Sequence, residues 1–313
     1  MAMPILPSSV TDPTGQDRRE RGAIAEFNRR FKQINKGAQA ILAAIPVTKK
    51  TLSVNVRGLS FALNAESLTR YEFQVDTIQM ELIGEEIDRL VDQWIEVRGD
   101  ASEQWLNSGY VGPAYQQGTA MTFANLSAQS VQYKASRQSL TELIKTPEYR
   151  RRIGFVRGRV FEEMKGLSAS VKTGLRNALS DGIAQGLNPL EVARNIDEAT
   201  RVGEVRARRI ARTEITTALR RARLDEAEQA SGDLGLGMRM MQMSALSSTT
   251  RPSHAARHSK LYTFEQARVW MATSPNMINC KCSFVEVLVD ANGKPLTPKI
   301  VSLAFAQKAK NGW

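Results

Sequence analysis

The sequence predicts a mainly α-helical protein with a small α+β region toward its C-terminus. Apolar residues recur at spacings of three and four over most of the chain, the pattern of amphipathic helices. After a run of glycines at Gly232, Gly235 and Gly237 the pattern becomes strand-like, and the alternating stretch Ser283–Val289 follows later. Hydrophobic residues make up 42% of the 313 residues but aromatics only 6%, so the core is expected to be aliphatic and methionine-rich. That length points to two domains.

Residues 1–20, with Pro4, Pro7 and Pro13, read as a flexible tail. A helix follows, carrying Ile24, Phe27, Phe31, Ile34, Ala38, Ile41, Leu42 and Ile45 on one side and ending at Pro46. Residues 52–63 read as two short strands around Arg57–Gly58. A long helix is expected from Glu66 to Val97, with Tyr71, Val75, Ile78 and Leu82 leading its stripe. Helical sequence from Ser102 to Ile144 should break or kink at Gly112–Pro113. Thr146–Pro147 marks a boundary. Helical periodicity returns through Val171, Leu175 and Leu179, and Gly186 ends it. Asn188–Pro189 opens the next helix, with proline in the first turn. The most basic helix spans Gly203 to Gln229. Met238–Met243 and Ser283–Val289 are the expected strands, with a tight turn at Asn292–Gly293. The division that follows is a tail (1–20), a helical docking region (21–145), a compact mixed domain (146–290) and a C-terminal extension (291–313).

A net charge of +11 fits a partner rich in phosphate or carboxylate. Arg206, Arg209 and Arg220 fall opposite the apolar face of the basic helix and are candidates for binding DNA or an acidic protein; a merely solvated face is the other reading. In the docking region, Phe27 and Phe31 are candidate anchors for a partner, unless these helices simply pack as a bundle. The N-terminus lacks the basic start and apolar core of a signal peptide, and there is no run of about 18 apolar residues. No membrane anchor is expected, and the protein should reside in a cytoplasm or in a particle assembled there.

The two histidines, His254 and His258, are four apart, and the two cysteines, Cys280 and Cys282, are two apart. Together they offer the nitrogen and sulfur ligands that zinc prefers. Buried thiols and hydrogen-bonded loop histidines are the other reading, and both stay open. Glu214 is expected to pair with a nearby arginine of its own helix: Arg206, Arg209, Arg212 or Arg220. With no glycine-rich phosphate loop, Ser-His-Asp order or two-metal carboxylate cluster, the expectation is that the protein is not an enzyme and needs no cofactor beyond such a zinc ion.

Ala211-Arg212-Thr213-Glu214, Thr250-Arg251-Pro252-Ser253-His254, His258, and Asn279-Cys280-Lys281-Cys282 occur in this order. In order and spacing they resemble the phage head morphogenesis family, also called Mu F-like minor head proteins. The resemblance runs from about Pro147 to Val289. Family sequences usually carry an arginine between the cysteines; here it is Lys281. The resemblance implies a structural minor component of a tailed-bacteriophage head, acting in capsid assembly, portal association, or genome packaging or delivery. Its implied partners are the portal protein, the major capsid or scaffolding protein, and viral DNA. Its implied place is the capsid interior or portal vertex. The alternative is a general DNA-binding protein using its basic helices.

Overall fold

The computed structural model describes residues 2–52, 68–95 and 99–313. Along the chain run α1 (Asp17–Ala43), β1 (Val47–Leu52), β2 (Leu68–Phe73) and α2 (Thr77–Ile95). A π-helical turn, Asn107–Val111, leads into α3 (Gly112–Gln129), followed by α4 (Val131–Ser136), α5 (Leu140–Leu143), α6 (Pro147–Gln185) and α7 (Pro189–Leu234). Then come β3 (Met238–Met243), α8 (Pro252–Ala255), β4 (Leu261–Tyr262), α9 (Phe264–Ala272), β5 (Ser283–Leu288) and α10 (Lys299–Lys310). The protein is mostly helical, with two small antiparallel sheets, as the sequence predicts.

Two compact units are woven from the chain. One contains residues 1–24, 99–161 and 209–313; the other contains 25–98 and 162–208. Neither coincides with the stretches 1–20, 21–145, 146–290 and 291–313, because α1, α6 and α7 each contribute to both units.

In the second unit the described residues form a helical core. Phe27, Phe31 and Ile34 of α1, Ile87 and Val91 of α2, Leu167, Val171 and Leu175 of α6, and Val192 and Ile196 of α7 are all buried. Gly186 ends α6 with φ of 66°, the left-handed conformation that suits glycine. Leu187 N–H donates to Gly182 O at 3.0 Å and Gly186 N–H to Ile183 O at 3.1 Å, closing the helix end. Asn188 then caps α7, its Oδ1 accepting from Leu190 N–H at 3.0 Å. The expected helix over Glu66–Val97 is shorter: Leu68–Phe73 pairs with β1 instead, and Tyr71 is a strand residue. The reason is a capping box. Asp76 accepts from Gln79 N–H at 2.8 Å, Gln79 accepts from Asp76 N–H at 2.9 Å, and the helix starts there. The expected turn at Arg57–Gly58 lies outside the described residues.

In the first unit, residues 2–16 are a fastened strap, not a loose tail. Pro4, Pro13, Thr14 and Gln16 are buried. Ile5 N–H donates to Asn125 Oδ1 at 2.7 Å, and Leu246 N–H donates to Val10 O at 3.2 Å. Gly112–Pro113 does not break the helical path, since Pro113 sits in the first turn of α3. The sheet has strand order β4-β3-β5. Met238, Met240, Phe284 and Leu288 pack on one face with Leu126 of α3, Tyr133 of α4, and Leu224 and Ala227 of α7. Met241, Met243, Val285 and Val287 pack on the other with Ile300 and Ala304 of α10. The sheet is thus covered on both sides, which is why apolar residues fall on both faces of its two longer strands.

One charged residue, Glu286, sits on the α3/α7 face and is fully buried. Arg223 of α7 meets it with two parallel bonds of 2.8 and 2.7 Å. Thr122 Oγ1 and Asn125 Nδ2 also donate to the carboxylate, at 2.8 and 2.6 Å. Asn125 and Gln129 both donate to the Glu286 carbonyl at 3.0 Å. The helices approach closely beside this network: a Cβ on Gly118 would lie 2.4 Å from Leu219 O. Arg223→Met alone should lower the stability of this unit by about 3–5 kcal/mol, because it strands a buried carboxylate. Arg223→Met with Glu286→Leu should be less damaging than the sum of the two single losses. Chemical denaturation of the three variants checks this; additive losses would show the two side chains act independently.

Candidate functional site

The motif residues converge within the first unit from three segments: the C-terminal half of α7, the stretch 244–258 that includes α8, and the loop leading into β5. Pro252 opens α8 in its first turn, directly after Arg251. Asn279 adopts a φ of 52° and turns the chain toward the cysteines. Its N–H donates to Thr213 Oγ1 on α7 at 3.2 Å. The Arg251 guanidinium fixes the same loop by donating to Pro275 O at 3.0 Å and to Ile278 O at 2.5 Å. Arg220, buried on α7, holds the cysteine backbone: its Nη1 donates to Cys280 O at 2.7 Å and to Cys282 O at 2.8 Å. Its Nη2 donates to Thr216 and Thr217.

His254, Cys280 and Cys282 are all buried, and one ligand atom from each lies within 4.8 Å of the others. The His254 Nδ1 is 3.4 Å from Cys280 Sγ and 3.5 Å from Cys282 Sγ. Its Nε2 is 3.1 Å from Arg251 Nη1. An arginine can only donate, so Nε2 is the bare nitrogen and the ring proton faces the sulfurs. Trp270 packs edge-on against the imidazole, with ring centroids 5.2 Å apart. The two thiols shift each other's titration in opposite directions. The hydrogen bond from Cys282 holds the Cys280 thiol well below the usual range, helped by Arg220 and His254. Donating that bond, together with burial, pushes Cys282 up.

The trio opens onto a cavity of about 460 Å³ lined also by Asp17, Glu20, Arg212, Thr250 and Lys281. Glu20 is 4% exposed. Its Oε1 is buried and has no hydrogen-bond partner among the described residues. Burial raises its carboxyl to about 7, against the opposing pull of Lys281 and Arg212; Asp17 and Asp12 push in the same direction as burial. Lys281 contacts Asp17 at the rim.

Of the expected metal set, His258 stands apart. Its Nδ1 accepts from Ser244 N–H at 3.1 Å and its Nε2 donates to Ala304 O at 2.8 Å, so both ring nitrogens are used in holding α10 to the sheet. Burial lowers its pKa. The four-residue spacing fails as a ligand pair because α8 is a single short turn. The arginine surface is also corrected. Arg220 is 1% exposed and bound to backbone carbonyls, Arg206 donates to Gly166 O in the second unit, and only Arg209 of the three is exposed. Phe27 and Phe31 are each 1% exposed, so they are core residues and not free anchors. Glu214 contacts Arg159 of α6.

Sequence reading passed over Arg251 as an organiser and Glu20 altogether. Glu20 had a signal: it precedes Ala23, Phe27, Phe31 and Ile34 at spacings of three and four, which places a carboxylate on the buried stripe of α1.

Residues 173–285 match the family described as Phage Mu protein F like protein. The matched segment includes the arginine-containing helix, His254 and both cysteines. No curated protein and no solved structure matches the chain. Among the described residues no helix is long and apolar enough to cross a membrane.

The Glu20 carboxyl yields a pH prediction. Its folded pKa is raised, so the folded protein holds this proton better than the unfolded chain does. Stability from this group is full below about 4.5 and falls as pH rises to about 7. Glu20→Gln should therefore leave stability at pH 4.5 nearly unchanged and raise it at pH 8 by about 2–3 kcal/mol. Denaturation at the two pH values, in chelator-treated protein, measures this. Equal stability of the variant and the parent at pH 8 would show that the carboxylate is not strained by burial.

Proposed function

We propose that this protein is a structural minor component of a tailed-phage head, acting in capsid assembly, portal association, or genome packaging or delivery. The observation that carries the reading is the Mu F-like match over residues 173–285, joined to the way its motif residues assemble. Arg251 contacts the buried cluster formed by His254, Cys280 and Cys282. Thr213 bonds the loop that carries the cysteines. These motif residues thus have a shared architectural task in this chain.

In this reading the protein is not an enzyme. Its partners are the portal protein, the major capsid or scaffolding protein, and the packaged DNA, and its place is the capsid interior or portal vertex. The net charge of +11 supports an acidic or phosphate-rich neighbour. Exposed Arg150, Arg151, Arg209 and Arg212 of the first unit are better candidates for such contacts than the buried Arg220.

The test is to purify heads of the encoding phage or induced prophage and quantify this chain by mass spectrometry, with and without nuclease. The expected result is a fixed, low number of copies per head that survives nuclease and salt washing. Absence from heads would overturn the proposal. Retention only through DNA, together with a steep salt dependence of binding to free DNA, would favour the general DNA-binding alternative.

A further inference from the structure

The cysteine–histidine cluster has the geometry of a coordination site with one face left open. A tetrahedral zinc ion, with Zn–S of about 2.3 Å and Zn–N of about 2.0–2.1 Å, separates its nitrogen and sulfur ligands by about 3.5 Å. His254 Nδ1 lies 3.4 and 3.5 Å from the two sulfurs. The ligands are also preset. Arg220 grips the carbonyls of both cysteines, Arg251 grips the loop before them, and Trp270 packs against the imidazole. Such outer contacts orient ligands before an ion arrives.

Charge favours the same conclusion. Arg220 is buried and, among the described residues, its hydrogen bonds go to carbonyls and hydroxyls, none to a carboxylate. Its positive charge favours anionic sulfur nearby. Two thiolates with one divalent ion are neutral together, whereas two thiolates alone would not be tolerated at this burial. The remaining direction faces the cavity. There the unpartnered Oε1 of Glu20 lines the wall, a buried acceptor suited to a water or other small ligand in the fourth position.

We propose that His254, Cys280 and Cys282 form a site for a soft divalent metal ion of the zinc class, three protein ligands with the fourth position open toward Glu20. Sulfur and imidazole donors select zinc-like ions over magnesium or calcium. On binding, both sulfurs coordinate as thiolates and release whatever thiol protons they carry, and the His254 ring proton moves off Nδ1. The ring proton then sits on Nε2, and Arg251 keeps its carbonyl partners in the 275–278 loop. His258 takes no part. The inference does not depend on the head-protein reading, and each can fail alone.

The experiment uses the full chain, reduced and stripped with chelator, and titrates Co²⁺ as a spectroscopic probe. The expected result is about one equivalent bound, with a thiolate-to-metal charge-transfer band and the intense d–d bands of a four-coordinate ion. Zinc should bleach the signal. Cys280→Ser, Cys282→Ser and His254→Gln should each abolish it or weaken binding strongly, whereas His258→Gln should retain the bands. Added imidazole should shift the d–d bands in the parent if the fourth position is open. As a readout free of mutation, zinc should slow alkylation of Cys280 and Cys282, and chelator should restore it. No charge-transfer band with both thiols reduced, or alkylation indifferent to zinc, would overturn the site. A cobalt spectrum unmoved by imidazole would overturn the open fourth position.

Discussion

The buried carboxylate of Glu286 is the constraint on which the first unit depends. A charge with no exposure must be met on every side, and it is met by Arg223, Thr122 and Asn125 from two helices. This fixes which face of β5 looks at α3 and α7, because a slip by one residue would turn Glu286 toward α10 and Val285 and Val287 toward the arginine. The register with β3 then follows, Met240 opposite Glu286 and Met243 opposite Ser283. A network of this kind specifies a single arrangement more than it adds net stability.

The same helix serves the cysteines. Arg220 and Arg223, three apart on α7, share a face. Arg223 receives the carboxylate of β5, and Arg220 receives the carbonyls just upstream of it. A single atom, Arg220 Nη1, bridges the carbonyls of two residues that are two apart, at 2.7 and 2.8 Å. This gives a physical reason for cysteines separated by a single residue: the spacing matches Arg220, and it keeps both sulfurs beside His254. The arginine-rich composition is thus partly internal, since two of the helix's arginines are wholly consumed in the core.

Much of the fold was legible from pattern. The stripe of α1, the stop at Gly186, the start at Asn188–Pro189, the methionine-rich strand and the alternation in β5 all follow from local sequence. What pattern could not give was environment. From Glu214 to Ala227 α7 is buried on almost every side, so the face opposite its apolar stripe is not solvent, and Arg220 was misplaced for that reason. Tyr71 was misplaced because a helical spacing ran across a strand and a capping box at Asp76. The site was half legible. His254, Cys280 and Cys282 are the residue types a metal requires, but His258 mimicked a helical ligand pair that a one-turn helix does not sustain. Glu20 is more than 230 residues from His254, Cys280 and Cys282, a proximity that no local spacing encodes.

The interleaving of the two units bears on the order in which the chain can fold. Residues 1–24 share their unit with 99–161 and 209–313, so the strap is made before its partners. The strap's bond from Leu246 to Val10 and the cavity wall around Glu20 are therefore long-range closures, of the kind that form slowly. The second unit is complete once residue 208 is made, and it can compact while the first still lacks its central sheet. The strap can close only after residues 209–313 exist, and the cavity wall around Glu20 is complete only then.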